Sequence, residues 1–521
     1  MPSAQGLELE FNLTRDPLVA ARRPQALRML VLGDFSAREG RAQGGPAREH
    51  DGYAVTPVDV DSFESLLWRL APRLEIALPV AGATVGVVFR SLEDFRPDAL
   101  FERLPLFAPW RELRARLLDP AAFPSAVEEL VARLGGSPAP ESGEEPPQAE
   151  RGGAEPTEND REVIERLLGR TPARGVAGRG ERSGQAQTLV SELIRQAVGP
   201  HAAPEEAPHR DLYLGALDTL VGERMRALLH DPGLQALEAR WRALHHLVTN
   251  LETDEALQIH LLDCSPQGLA SALRGPGQDL RASALYRLLV ETTGLGTPGG
   301  EPWSLLVGCF AFGPSAPDLA LLGALGAIGA AAGGPFVAAA SPELVGCESI
   351  AATPDPSAWG PLPAEAEAAW TALRRSPVAR WIGLALPRFL LRLPYGEGGE
   401  PIDAFPFEEL GTGRRHEDYL WGNPAFLCAR LIGQAYTENG WSLEPGDVLE
   451  VGELPAHVYA EDGEKRLQAC AELYLTERAA EALLDRGLMP LLSLKGRDQV
   501  RLARFQSIAS PPAALAGPWG G

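Results

Sequence analysis

The chain has 521 residues, 45% of them hydrophobic, and a formal net charge of −22. It exceeds the roughly 100–200 residues of one typical domain, so two or three domains with real cores are expected. The acidic balance excludes an electrostatic binder of nucleic acid or of an anionic membrane, because both need a basic surface.

The start, MPSAQGLELEFNLTRDP, carries acids and no apolar run, so no secretory signal is expected and the location is read as cytoplasmic. LRMLVLGDFS, Leu27 to Ser36, reads as a buried strand ending in a turn. In VDVDSFESLLWRLAPRLEI, Asp61 is the expected N-cap, with Glu64 completing a capping box. Phe63, Leu66, Leu67 and Leu70 make one helical face, Pro72 ends the helix, and LEIALPV returns as a strand. A strand, a capped turn at Ser91 and two short helices complete a small α/β domain over residues 1–135.

Residues 136–185 change character. GGSPAPESGEEPPQAERGGAEPTEND is rich in Pro, Gly, Glu and Ser and cannot bury enough apolar surface to offset chain ordering. This stretch is expected to be a flexible linker, with one short helix at REVIERLLGR.

The second domain is expected over residues 186–510, followed by a tail, 511–521. Leu217, Val221, Met225 and Leu228 form one helical stripe. Asp231-Pro232 restarts a helix, with Asp as N-cap and Pro at N1, and Leu234, Leu237, Trp241, Leu244 and Val248 mark its packing face. ALQIHLLDC has strand alternation, DLRASALYRLLVETTG reads as a helix, and SLLVGCFAFG as another strand. The uncharged stretch Leu319 to Ser341 is long enough to span a bilayer, but it is rich in Ala and Gly and broken by Gly333-Gly334-Pro335. A buried helix, a turn and a buried strand fit it better. Alternating helices and strands predict a mixed α/β fold in both domains.

Chemical motifs are weak. Gly294, Gly296 and Gly299 spell G-x-G-x-x-G, but they follow a helix where a dinucleotide fingerprint must follow a strand, so a helix-ending loop is expected. The five cysteines hold no C-x-x-C pair, which points to free thiols rather than a disulfide or zinc framework. His245 and His246 are adjacent, without the three- or four-residue spacing of helix-borne metal ligands, and His260 stands alone on a strand. No serine sits in a G-x-S-x-G elbow. The cluster Arg414, Arg415, His416, Glu417 and Asp418 offers acid–base groups, but a solvated loop explains it better. No catalytic residue, metal or cofactor is therefore assigned, and the chain is read as a non-enzyme.

Two sets of stretches resemble one assembly. LRMLVLGDFS, VDVDSFESLLWRLAPRLEI and FRSLEDFRPDALFERLP resemble the small subunit of the type VI secretion contractile sheath. LQALEARWRALHHLV, TPGGEPWSLLVGCFAF, PFVAAASPELVG, VARWIGLALPRFLLRLPYG, FPFEEL and YLWGNPAF resemble its large subunit. The resemblance implies a fusion of both subunits: a structural protein that surrounds an inner tube and contracts. It also implies other sheath subunits, the tube protein and a baseplate as partners, with an AAA+ unfoldase that engages a helix matching LVSELIRQAV. Candidate interaction positions carried over are Leu189, Leu193, Ile194, Gly299, Glu301, Pro302, Arg388, Arg392, Tyr395 and Trp421.

Three departures accompany it. The family's C-terminal region is not matched beyond ARFQSIAS, Pro377-Val378 replaces an acidic pair, and Gly333 or Gly334 replaces a histidine. An accessory cap or adaptor that does not itself polymerise is the alternative reading.

Overall fold

The computed structural model describes residues 25–38, 53–78, 83–135, 208–273, 279–292, 300–411, 414–461 and 463–519. Its strands in chain order are β1 Leu27–Gly33, β2 Val55–Pro57, β3 Arg73–Leu78, β4 Ala83–Val88, β5 Leu257–Asp263, β6 Leu305–Phe312, β7 Phe336–Ala340 and β8 Ile382–Leu386. They continue with β9 Phe389–Leu390, β10 Trp421–Gly422, β11 Glu450–Val451, β12 Val458–Glu461, β13 Glu464–Leu467, β14 Met489–Ser493 and β15 Val500–Leu502.

Nine of these form one sheet in the order β11-β15-β14-β8-β7-β6-β1-β5-β2. It runs parallel from β14 to β5, and antiparallel strands close both ends. The run LRMLVLG is apolar on both faces because β1 is central and covered on both sides. Leu27 pairs with Leu257 and Gly33 with Asp263 on one flank, and Met29 pairs with Leu305 on the other. The fold is mixed α/β, as the alternation of patterns predicts.

The described residues of Met1–Leu104 and Met225–Gly521 form one unit, and those of Pro105–Arg224 form another. The boundary expected at 135 separates β1 from β5 and β6, yet backbone hydrogen bonding joins all three. A central strand has two neighbours, and a run of apolar residues does not say from where in the chain they come. The expected linker, with REVIERLLGR, lies outside the described residues.

The smaller unit is helical. Arg114 Nε holds Asp218 Oδ1 at 2.9 Å, and Trp110 takes the guanidinium groups of Arg133 and Arg224 at 5.4 and 4.5 Å from its ring centre. Leu117, Leu130, Leu217 and Val221 are buried there.

In the larger unit the Ala316–Ala332 helix packs on the sheet through small residues. A Cβ on Gly326 would stand 2.5 Å from Ile382 Cδ1. Gly333 ends the helix at φ +94°, the left-handed conformation that favours glycine. Among the described residues, no helix is long and apolar enough to cross a membrane.

One local expectation is corrected. The Phe63–Leu70 helix starts after Ser62, not Asp61, and Ser62 makes no side-chain cap bond. Asp59 instead accepts from Ser62 N at 2.7 Å and Ser62 Oγ at 2.7 Å, turning the chain into the helix. The expected cap at Ser91 is present as a full capping box with Asp94.

Candidate functional site

The Pro232–Thr249 helix is capped by Asp231, whose carboxylate accepts from Gly233 N and Leu234 N at 2.9 and 3.0 Å. Its stripe of Leu234, Leu237, Trp241, Leu244 and Val248 is buried. Glu238 lies on the same face and is fully buried. A carboxylate in such a place must be paired, because an isolated buried charge is very costly.

Its partners come from two elements. Glu238 Oε1 accepts from Arg242 Nε, one turn on, at 2.6 Å and from Arg392 Nε at 2.9 Å. Arg392 then forks onto Glu409, with Nη1 to Oε2 at 2.7 Å and Nη2 to Oε1 at 2.9 Å. This is the two-pronged geometry for which guanidinium and carboxylate are matched. Glu409 also accepts Tyr395 N at 2.8 Å, and Arg242 Nη2 donates to Tyr395 Oη at 3.0 Å. The Arg392 guanidinium lies 4.2 Å from the Tyr395 ring centre.

Burial alone would push the Glu238 carboxyl up, but Arg392 and Arg242 hold it below its ordinary value. Burial likewise works against the Arg392 charge, and Glu238 with Glu409 outweighs it, raising its pKa well above the usual value. His230 stands 3.4 Å from Asp418 and 3.8 Å from Glu409. Burial lowers its pKa despite both acids.

A second cluster adjoins in sequence. Glu472, buried, accepts from Arg388 N and Arg388 Nε, both at 2.8 Å, and contacts His416 Nε2 at 3.0 Å. The His416 ring stacks on Trp421 at 4.8 Å, and Trp421 Nε1 donates to His416 O at 2.8 Å. Arg415 Nε holds Asp418 at 3.0 Å, Arg388 Nη2 holds Glu417 at 3.0 Å, and Arg414 Nη1 donates to Gln468 Oε1 at 3.0 Å. The acid–base cluster of the sequence is thus bound up in internal pairs.

Of the carried-over positions, Arg392, Tyr395 and Trp421 are interior, 4%, 0% and 7% exposed, while Arg388 remains partly open. They converge on these two networks. Glu301 and Pro302 sit apart, before β6, where Arg28 Nη1 donates to Glu301 O at 2.5 Å. Leu189, Leu193, Ile194 and Gly299 lie outside the described residues, as do Gly294 and Gly296. Sequence reasoning passed over Glu238, Arg242, Glu409 and His230. The available signal was Glu238 itself, an acid amid the apolar stripe of its helix, four residues before an arginine.

Residues 211–509 match the VipB family, described as EvpB/VC_A0108, tail sheath N-terminal domain. Residues 22–131 match the family described as Type VI secretion system, VipA, VC_A0107 or Hcp2. The chain is 36% identical over 304 residues to the type VI secretion system sheath protein TssC1 of Pseudomonas aeruginosa, covering 57% of this chain and 61% of that protein. It therefore spans less than two thirds of that relative's length. A VipA-type segment whose strand completes the sheet of a VipB-type body is the architecture found, and the chain belongs to the VipB tail-sheath family, with the VipA-type match fused ahead of it.

Proposed function

We propose that the chain is a structural protomer of a type VI secretion contractile sheath, one that assembles around an inner tube and contracts to drive secretion. The observation that carries this is β1, held between β5 and β6. It joins the VipA-type and VipB-type parts through one shared sheet, and their fusion in one chain gives one-to-one stoichiometry. The buried ion-pair networks support the same reading. They lock loops onto the core of the larger unit, so that this unit moves as a whole between two packings. Other sheath subunits, the tube protein and the baseplate are its proposed partners, with an AAA+ unfoldase acting on the contracted form. The cytoplasm is its proposed location, and it works without catalysis.

Electron microscopy of the purified chain with and without the tube protein tests this. Regular tubular assemblies are expected. A chain that stays monomeric in both conditions overturns the reading. Ala at Arg414, His416 and Asp418 together tests the non-catalytic part. Secretion then falls only as far as assembly does, and secretion lost from intact assemblies points to chemistry.

A further inference from the structure

We infer that residues 395–409 form a strap that closes over the buried ion-pair network only while the VipA-type segment grips it, so that the two matched parts are coupled through Tyr395. The inference goes beyond the sheath reading and does not depend on it.

The strap leaves and re-enters the body at one neck. Glu409 N donates to Tyr395 O at 2.8 Å, and Tyr395 N donates to Glu409 Oε2 at 2.8 Å. A loop with joined ends and a body folded on itself is an Ω-loop. The network lies behind the neck. Tyr395 is fully buried with its Oη on Arg242, and Glu409 takes the fork of Arg392.

The two halves of the body are held differently. The first half bonds within itself, through Gly396 N to Glu400 O at 2.8 Å, Gly399 N to Gly396 O at 3.1 Å and Glu400 N to Pro394 O at 2.9 Å. From Pro401 to Glu408, no backbone group bonds to another backbone group among the described residues. Backbone N–H and C=O groups that leave water need partners, so these must come from side chains. The VipA-type segment supplies most of them. Asp98 Oδ1 accepts from Asp403 N and Ala404 N at 3.0 and 2.9 Å, and Arg96 Nη2 donates to Pro401 O at 3.2 Å. Arg96 Nη1 holds Glu400 Oε2 at 3.2 Å, and the Phe101 ring packs on Phe405 at 4.8 Å. Asp98 and Phe101 share one face of the Pro97–Arg103 helix, and Arg96 is its N-cap residue. From the VipB-type side, Arg226 Nη1 donates to Glu408 O at 2.8 Å.

The grip and the network meet at one ring. Arg96 lies 5.7 Å from the Tyr395 ring centre and Arg392 lies 4.2 Å from it, one cation from each part. A path of contacts then runs from Asp98 through the strap to Glu409, Arg392 and Glu238. Glu397, Gly398, Pro401 and Asp403 are exposed, while Phe405 and Phe407 are the buried apolar side chains of the body. Such a segment opens on its own once its few bonds are lost, because chain freedom then outweighs the little surface it buries. Opening takes Glu409 away from Arg392 and lets water reach the network.

The test is hydrogen exchange on the full chain, read by mass spectrometry. Asp98→Ala is expected to raise exchange at Tyr395, Glu409 and the strap amides between them by about tenfold, while β5, β6 and β7 keep their protection. Asp98→Asn keeps an acceptor and is expected to stay close to the parent. Coupling is reciprocal, so Glu409→Gln is expected to raise exchange at Asp403 and Ala404 from the opposite end of the path. Unchanged exchange at the neck in Asp98→Ala, or unchanged exchange at Asp403 and Ala404 in Glu409→Gln, overturns the coupling. A rise shared equally by the strap and β6 also overturns it, since the strap then has no opening of its own. Each of these results stands whether or not the chain forms tubes, so failure here and failure of the sheath reading are told apart.

Discussion

Arg392 and Glu409 face each other as a two-pronged ion pair at 2.7 and 2.9 Å, each at most 4% exposed. Arg392 also holds Glu238 on the Pro232–Thr249 helix at 2.9 Å, so one guanidinium ties a helix to a distant loop.

Arg392→Ala leaves Glu238 and Glu409 buried with too little positive charge. The expected loss is about 3–5 kcal/mol, read as a lower urea midpoint. Glu409→Gln keeps the shape and removes one charge, and it is expected to cost less. Equal midpoints for Arg392→Ala and the parent would show that the network does not hold the fold.

Acid is expected to weaken the fold through two histidines. Burial, with Arg430 and His245 adding to it, lowers the His246 pKa to about 4; burial and Arg28 lower that of His260 to about 4. His246 faces Arg430 Nη1 at 3.1 Å, so its ring nitrogen accepts and stays neutral. The unfolded chain binds these protons near pH 6.5 and the folded chain only near 4. Their contribution is therefore complete above pH 6.5 and is lost as pH falls from 6.5 towards 4. Denaturation midpoints measured across that range should drop for the parent and drop less for His246→Gln with His260→Gln.

Glycines separate close packing from backbone strain. A Cβ on Gly334 would lie 2.6 Å from Trp303 O and 2.6 Å from Ser304 C, against backbone that cannot move aside. Gly496 has φ +73° but open space around it. Gly496→Ala is expected to cost about 1 kcal/mol from conformation alone. Gly334→Ala should cost clearly more, by thermal unfolding of the two variants. The reverse order would contradict the packing of the Ala316–Ala332 helix on β6.

Separation of the two parts tests the shared sheet. Residues 208–521 expressed alone have β5 and β6 without the strand between them, two open edges that invite aggregation. Co-expression with residues 1–200 should restore a soluble complex that survives gel filtration. Trp241→Phe removes the bond from Nε1 to Phe35 O at 3.0 Å and should weaken that complex. A soluble, monodisperse 208–521 fragment would show that β1 is dispensable.

The local elements were legible in the sequence because their causes are local. The Leu234-to-Val248 stripe, the Asp231-Pro232 start and the Gly333-Gly334 turn all stand where spacing and backbone chemistry place them. Asp61 was misread because Asp59 and Ser62, three residues apart, make the turn into the helix instead. The burial of Arg392 and Tyr395 was not legible, since their bonds to Glu238 and Arg242 join residues far apart in the chain.

Composition, periodicity and motif context determined by themselves that this is a mixed α/β chain whose charged motifs lack the context of a nucleotide or metal site. Only the tertiary structure decided that β1 is a central strand, because hydrogen bonding to β5 and β6 spans more than two hundred residues of chain. Hydrophobic pattern says that a strand is buried; backbone pairing across the folded sheet says between which neighbours.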